Sequence, residues 1–133
     1  MGAGINDYQI KWLSKTCEGK KHDKKICDEE NFHLPEGSNC YQDTGFQGFK
    51  MEGVTIYQPK KKPRGGELTD DEKAENKLIS SIRIVAEHVI SGIKRCRIVK
   101  DVLRNTTPDY DDIVMELACS LHNFRTFNRR NSY

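Results

Sequence analysis

No apolar run in this chain approaches the ~18 residues that a membrane-spanning helix requires, and no apolar stretch near its start resembles a secretory leader. A soluble, cytoplasmic protein with no membrane partner is therefore expected. C-x-x-C spacing is also missing. Cys17, Cys27, Cys40, Cys96 and Cys119 are odd in number and fall mostly in apolar segments, which predicts reduced thiols rather than a disulfide framework or a structural zinc site. Net charge is small, 22 Lys and Arg against 20 Asp and Glu, so bulk charge selects no partner and its distribution has to. There is no internal repeat, and no low-complexity segment beyond Lys60-Lys61-Lys62. A length of 133 residues suits one modest core but not two, so a single domain is expected.

What the chain does have is clustered charge. Bases gather at 20–25, at Lys60, Lys61, Lys62 and Arg64, from Lys94 and Arg95 through Arg97 to Arg104, and from Arg125 to Arg130. Local basic patches on a near-neutral chain suit a polyanion met at particular places.

The longest element is a helix predicted over 68–100. Thr69 followed by Glu72 forms a capping box, with Asp70 and Asp71 at the positive end of the helix dipole. Leu78, Ile82, Val85, Val89 and Ile93 advance by three or four and predict the buried stripe. Ser80, Arg83, Glu87, Ser91 and Lys94 advance in the same way on a neighbouring face, placing one carboxylate between two cations. That line reads equally as a solvated face with an Arg83–Glu87 pair worth ~0.3–0.5 kcal/mol.

Ahead of this helix, 8–17 reads as a strand entered from an Asn6-Asp7 turn and closed by Gly19, with no room before it for a partner strand. A short helix over 24–30 follows, with Asp23 as its cap. Residues 39–42 form a strand ending at Asp43, ahead of the Gly45 and Gly48 turn, and 54–57 form the next. Pro63 and Gly65-Gly66 keep 59–66 an irregular basic loop. Past a turn at 105–108, a last helix opens at Asp109, with Ile113, Leu117, Leu121 and Phe124 as its buried stripe. The fold class is α/β.

An acid at a strand's carboxyl end and another on a long helix suit hard divalent cations, because Mg²⁺ prefers oxygen ligands. Two-metal phosphodiester chemistry uses such carboxylates, with Arg or Lys holding the phosphates. Asp43 and Glu87 are the candidate ligands, and Arg83 and Lys94 the candidate phosphate holders. Asp43 serves equally as a turn former, His22 and Asp23 as local capping groups, and His122 and Asn123 as packing residues.

Five motifs in order resemble the C-terminal half of the catalytic domain in DDE-type insertion-sequence transposases, the superfamily endonucleases related to Harbinger elements. They are His22-Asp23-Lys24, Gln42-Asp43-Thr44-Gly45-Phe46-Gln47-Gly48, the 59–68 stretch, Arg83-Ile84-Val85-Ala86-Glu87-His88 with Lys94, and Leu121-His122-Asn123-Phe124-Arg125. The resemblance implies a truncated ribonuclease-H-like fold with about three strands and a long C-terminal helix pair, so that 1–133 is one partial domain. It implies Asp43 as the second acid of the metal-binding triad and Glu87 as the third, with Mg²⁺ or Mn²⁺ as cofactor. The family's first Asp lies on an earlier strand, which this chain is expected to lack, leaving it inactive by itself unless an N-terminal transposase segment is supplied separately. DNA, as mobile-element ends and target, is the implied partner, with Lys60, Lys61, Lys62, Arg64, Arg83, Lys94 and Arg95 as contacts and His22 and Asp23 as further candidate site residues. The rival readings are a non-catalytic DNA-binding or regulatory module and an inert remnant of a mobile element.

Overall fold

The computed structural model describes residues 1–17, 21–101 and 104–132. Its elements run β1 (Gly2–Ala3), β2 (Ile10–Trp12), α1 (Asp23–Glu29), β3 (Asn39–Tyr41), β4 (Thr55–Tyr57), α2 (Asp70–Ile93) and α3 (Tyr110–Asn131), with 3-10 turns at Thr44–Phe46 and Arg97–Val99. This mixed α/β chain divides into two compact units, one made of Met1–Cys17 with Val85–Tyr133 and the other of Glu18–Ile84. Helix α2 runs from the second unit into the first.

In the first unit, β1 pairs antiparallel with β2, Gly2 opposite Trp12 and Ala3 opposite Ile10. The chain thus does supply the partner strand for which the sequence seemed to leave no room, because it turns back at residues 5–7. The strand expected over 8–17 shortens to Ile10–Trp12, and Gly19, its expected close, lies outside the described residues. Among the described residues, four short strands in two sheets replace the three expected. The core gathers Ile10, Val89, Ile93, Ala118 and Cys119, with Leu13, Val99 and Met115 against it.

Two polar contacts fasten β2 and its turn to α3. The Asn123 carboxamide accepts from the Ile10 N–H at 2.7 Å and donates to the Ile10 carbonyl at 2.9 Å. The buried His122 ring meets the Tyr8 carbonyl through Nε2 at 2.9 Å and the Arg125 guanidinium through Nδ1 at 3.1 Å. A guanidinium can only donate, so Nδ1 accepts and Nε2 carries the proton.

These contacts select the face of α3 that turns inward. Val114, Ala118, Cys119 and His122 are buried, while Ile113, Leu117, Leu121 and Phe124 stand 52–70% exposed. The expected stripe is therefore the outer one. Helical spacing admits both sets, and the small Ala118 together with the His122 and Asn123 hydrogen bonds favours the inner set. In α2 the expected Val89 and Ile93 are buried, but at the start of the stripe Ile79 takes the buried place expected of Leu78, which is 60% exposed. The helix ends at Ile93, short of the expected Lys100, where the chain tightens into the Arg97–Val99 turn.

Gly92 lets α2 approach α3. A Cβ there would lie 2.6 Å from the His122 ring and 3.2 Å from Arg125 Nη2. The ring is held at both nitrogens, so it cannot swing clear without breaking a hydrogen bond. Alanine gains ~1 kcal/mol of helix propensity over glycine, yet Gly92→Ala is expected to lower stability by about 1–3 kcal/mol through overpacking. Thermal denaturation checks this, and an unchanged or raised midpoint would show that the helices do not need the close approach.

In the second unit, the capping box forms as the sequence foretells. Glu72 N–H donates to Thr69 Oγ1 at 3.2 Å and Thr69 N–H to Glu72 Oε2 at 3.0 Å, and the latter bond holds the Glu72 carboxyl below its ordinary range. Strand β3 pairs in parallel with β4, Asn39 opposite Thr55 and Tyr41 opposite Tyr57, and the two tyrosine rings stack at 4.8 Å. Parallel strands need a crossover of about a dozen residues. Here it runs through the Thr44–Phe46 turn and Phe49, which is buried and stacks on Phe32 at 6.5 Å. Helix α1 begins at Asp23 with His22 as its N-cap residue, whose side chain makes no capping bond, so Asp23 is a first-turn residue and not the cap. All five cysteines are free thiols, and burial pushes those of Cys27, Cys40 and Cys119 up. Among the described residues, no helix is long and apolar enough to cross a membrane.

Candidate active site

Asp43 stands two residues past the end of β3, where pairing with β4 has ended. Its neighbours hold the main chain on both sides: Gln42 N–H donates to the Tyr57 carbonyl at 3.0 Å, and Gln58 Nε2 donates to the Asp43 carbonyl at 2.9 Å. Gln42 is itself buried, its side chain reaching the Phe46 carbonyl at 3.4 Å. The Asp43 carboxylate caps the following 3-10 turn, Oδ1 accepting from Thr44 N–H at 2.6 Å. Asp43 thus fills the turn-forming role that the sequence offered, and its other oxygen faces outward.

That outer oxygen meets Arg83. The guanidinium of α2 donates through Nη2 to Asp43 Oδ2 at 3.1 Å, in a pair whose side chains are 36% and 50% exposed. The expected Arg83–Glu87 pair therefore gives way to a long-range one, because the arginine reaches a carboxylate on the sheet. At this exposure the pair contributes at most ~1 kcal/mol. Glu87 lies one helical turn beyond Arg83 along α2 and is exposed, within the first unit.

Asp23 is drawn to the same turn. Its Oδ2 lies 3.5 Å from the point where a Gly45 Cβ would stand, an ordinary contact distance. His22 is exposed at the start of α1.

Beside Asp43 opens a cleft of about 550 Å³, lined among others by Thr44, Gln47, Lys60, Lys61 and Glu72. The cations of its basic loop are largely engaged. Lys60 pairs with Glu72 at 3.6 Å and Glu75 at 3.4 Å, Lys61 donates to Gln47 at 3.1 Å, and Lys62 lies 3.9 Å from Glu67. Asn76 fastens the loop to α2, bonding the Lys60 N–H at 2.8 Å and its carbonyl at 3.0 Å. Arg64 is exposed in its turn, as are Lys94 and Arg95 after α2. Sequence reasoning missed Gln58 and Asn76. Only their positions beside Asp43's strand and the basic loop hint at these roles.

Asp43 offers the hard oxygen atoms that Mg²⁺ or Mn²⁺ takes, in a half-exposed carboxylate. Among the described residues, however, no three His, Cys, Asp or Glu side chains gather into a set that could hold a metal ion. The donors present fit part of a ligand shell.

The DDE superfamily endonuclease family model matches residues 4–123. The chain is 30% identical over 88 residues to the probable transposase for insertion sequence element IS702 of Microchaete diplosiphon, a match covering 66% of this chain and 32% of that protein. It thus spans about a third of the curated relative it matches, and no solved structure matches it. With the family model aligned along nearly all of the chain and a curated transposase beside it, this protein belongs to the DDE superfamily endonucleases, of the transposase type.

Proposed function

We propose that this chain is the C-terminal part of a DDE catalytic core, ribonuclease-H-like when complete, that cuts and joins DNA at the ends of a mobile element and at its target. Asp43 and Glu87 would hold the divalent cations, Mg²⁺ or Mn²⁺, and Asp23 is a further acid beside Asp43's turn. The observation that carries this reading is Asp43 itself. Its main chain is fixed just past a parallel strand by Gln42 and Gln58, its carboxylate stands half exposed, and the outer oxygen meets an arginine from the helix that bears Glu87. In two-metal phosphoryl chemistry the ions activate the attacking oxygen and stabilise the leaving one.

The chain's own residues prepare for this. Thr44 keeps the carboxylate from turning away, Gln58 holds the Asp43 main chain, and Arg83 balances the charge until a cation arrives. Once displaced, the Arg83 guanidinium presents its planar fork to a phosphate. Lys60, Lys61, Lys62, Arg64, Lys94 and Arg95 would then meet further phosphates, the first three after leaving their present partners. The apolar face of α3, exposed at Ile113, Leu117, Leu121 and Phe124, supports the reading of this chain as part of a larger core.

Incubating labelled duplex DNA with the protein in Mg²⁺, Mn²⁺ or chelator tests the reading. Residues 1–133 alone are expected to leave DNA intact. Fusion behind a segment carrying the family's first Asp is expected to yield cation-dependent nicking, and Arg83→Ala to reduce it about tenfold by removing a phosphate contact. Nicking that persists in chelator would sink the proposal.

A further inference from the structure

A second cleft, wholly within the first unit and far simpler in its chemistry, lies between the end of α2 and the last turns of α3. It encloses about 230 Å³, and Arg95, Arg125, Arg129 and Arg130 line it together with His88 and Asp7. The Asp7 carboxylate is already paired with Lys11. Burial raises its pKa, but the hydrogen bonds from Lys11 and Gln9 outweigh this and hold the carboxyl below its ordinary range. Four guanidinium groups thus share one concavity with a single carboxylate that another cation neutralises.

Two of the four are fastened. Arg125 donates through Nη2 to the Gly92 carbonyl at 3.3 Å and to His122 Nδ1 at 3.1 Å, and Arg130 donates to the Asn6 carbonyl at 2.5 Å. Each guanidinium has five N–H donors, so both keep donors to spare after these bonds. Arg95 and Arg129 are exposed and form no ion pair among the described residues. Like charges gathered in a concave surface repel one another and focus a positive potential, a cost recovered when an anion enters. Arginine's planar fork matches phosphate oxygens two at a time.

We propose that this cleft, formed by Arg95, Arg125, Arg129 and Arg130, binds phosphate groups of a DNA backbone, apart from the Asp43 turn and without any metal, so that the phosphate contact of Arg95 is made here and not with the basic loop. The proposal rests on the reading of the chain as a DNA-handling protein, and it assigns to α3 a contact that the acids of the cutting site do not require. Arg125 and Arg130 are the preset donors, and Arg95 and Arg129 close on the phosphate from the rim.

Fluorescence anisotropy with a labelled random-sequence duplex, in chelator so that cutting chemistry plays no part, tests it with the full chain. Wild type is expected to bind with an affinity that falls steeply with salt. Arg95→Gln combined with Arg129→Gln should weaken binding about tenfold or more and flatten the log–log salt slope by about 2, one unit for each lost phosphate contact. The corresponding double change to lysine should keep the slope, since it keeps the charges. Both positions are exposed, and matching thermal melts are expected for all three proteins. Unchanged affinity and slope in the glutamine variant would overturn the proposal, as would failure of the wild type to bind. If inorganic phosphate competes while the glutamine variant binds DNA as well as wild type, the cleft belongs to a small phosphate compound and the proposal also falls. Because no step depends on Asp43 or Glu87, these failures are separate from failure of metal-dependent nicking.

Discussion

Asp43→Asn, in the fusion that carries the family's first Asp, is expected to reduce cation-dependent nicking by about 10³-fold while leaving the fold intact. The change keeps the side chain's shape and its capping oxygen: asparagine caps a helical turn about as well as aspartate, so the bond from Thr44 N–H survives. What disappears is the charge on the oxygen that now meets Arg83 at 3.1 Å. A neutral amide is a poor ligand for a hard cation, and losing several kcal/mol of charge stabilisation corresponds to about three powers of ten in rate. Glu87→Gln should act alike, with even less structural effect, because Glu87 is exposed on the helix surface. Single-turnover nicking in Mn²⁺, with circular dichroism as the control for folding, measures both. Activity within a few-fold of wild type in either variant would remove that residue from the site. Should residues 1–133 nick DNA without the added segment and lose that activity with Asp43→Asn, the third acid lies within the chain. Asp23, beside Gly45, is the first to replace.

The second large effect concerns stability. Asn123→Ala removes both ends of the clamp on Ile10, stranding an N–H and a carbonyl of a residue that is only 8% exposed. Unsatisfied buried groups cost about 1–3 kcal/mol each, so a loss of about 2–4 kcal/mol is expected, out of the ~5–15 kcal/mol that holds a typical domain together. The melting temperature should fall on the order of 10 °C. Asn123→Asp offers a sharper comparison, since it keeps an acceptor for the Ile10 N–H but sets a carboxylate against the Ile10 carbonyl. It should be no better than alanine. A melting temperature for Asn123→Ala within about 2 °C of wild type would mean that water replaces the clamp at little cost.

Much of the candidate site was legible because it depends on local chemistry. A strand that ends in an acid before a glycine turn is a short-range pattern, and β3, Asp43 and the Thr44–Phe46 turn follow it. The basic loop was legible for the same reason, as Pro63 and the paired glycines leave it no regular alternative. The partners of its charges were not. Arg83 has Glu87 one turn away in sequence but bonds Asp43, 40 positions distant, because the fold brings the sheet within its reach. Lys60 likewise looked free, and α2 supplies Glu72 and Glu75 to it.

By itself the sequence determined where α2 starts, since Thr69 and Glu72 exchange hydrogen bonds within one turn and need nothing from the rest of the chain. It also determined the order of acids, bases and breakers that marks the family. Only the tertiary structure decided which face of α3 is buried. Ile113, Leu117, Leu121 and Phe124 repeat at helical spacing as well as Val114, Ala118 and His122 do, and their greater hydrophobicity favours them on local grounds. The hydrogen bonds from His122 and Asn123 to the backbone of Tyr8 and Ile10 reverse that preference, more than a hundred positions away in sequence. Periodicity locates a helix and limits its possible inner faces, but a buried backbone group that must be satisfied chooses among them.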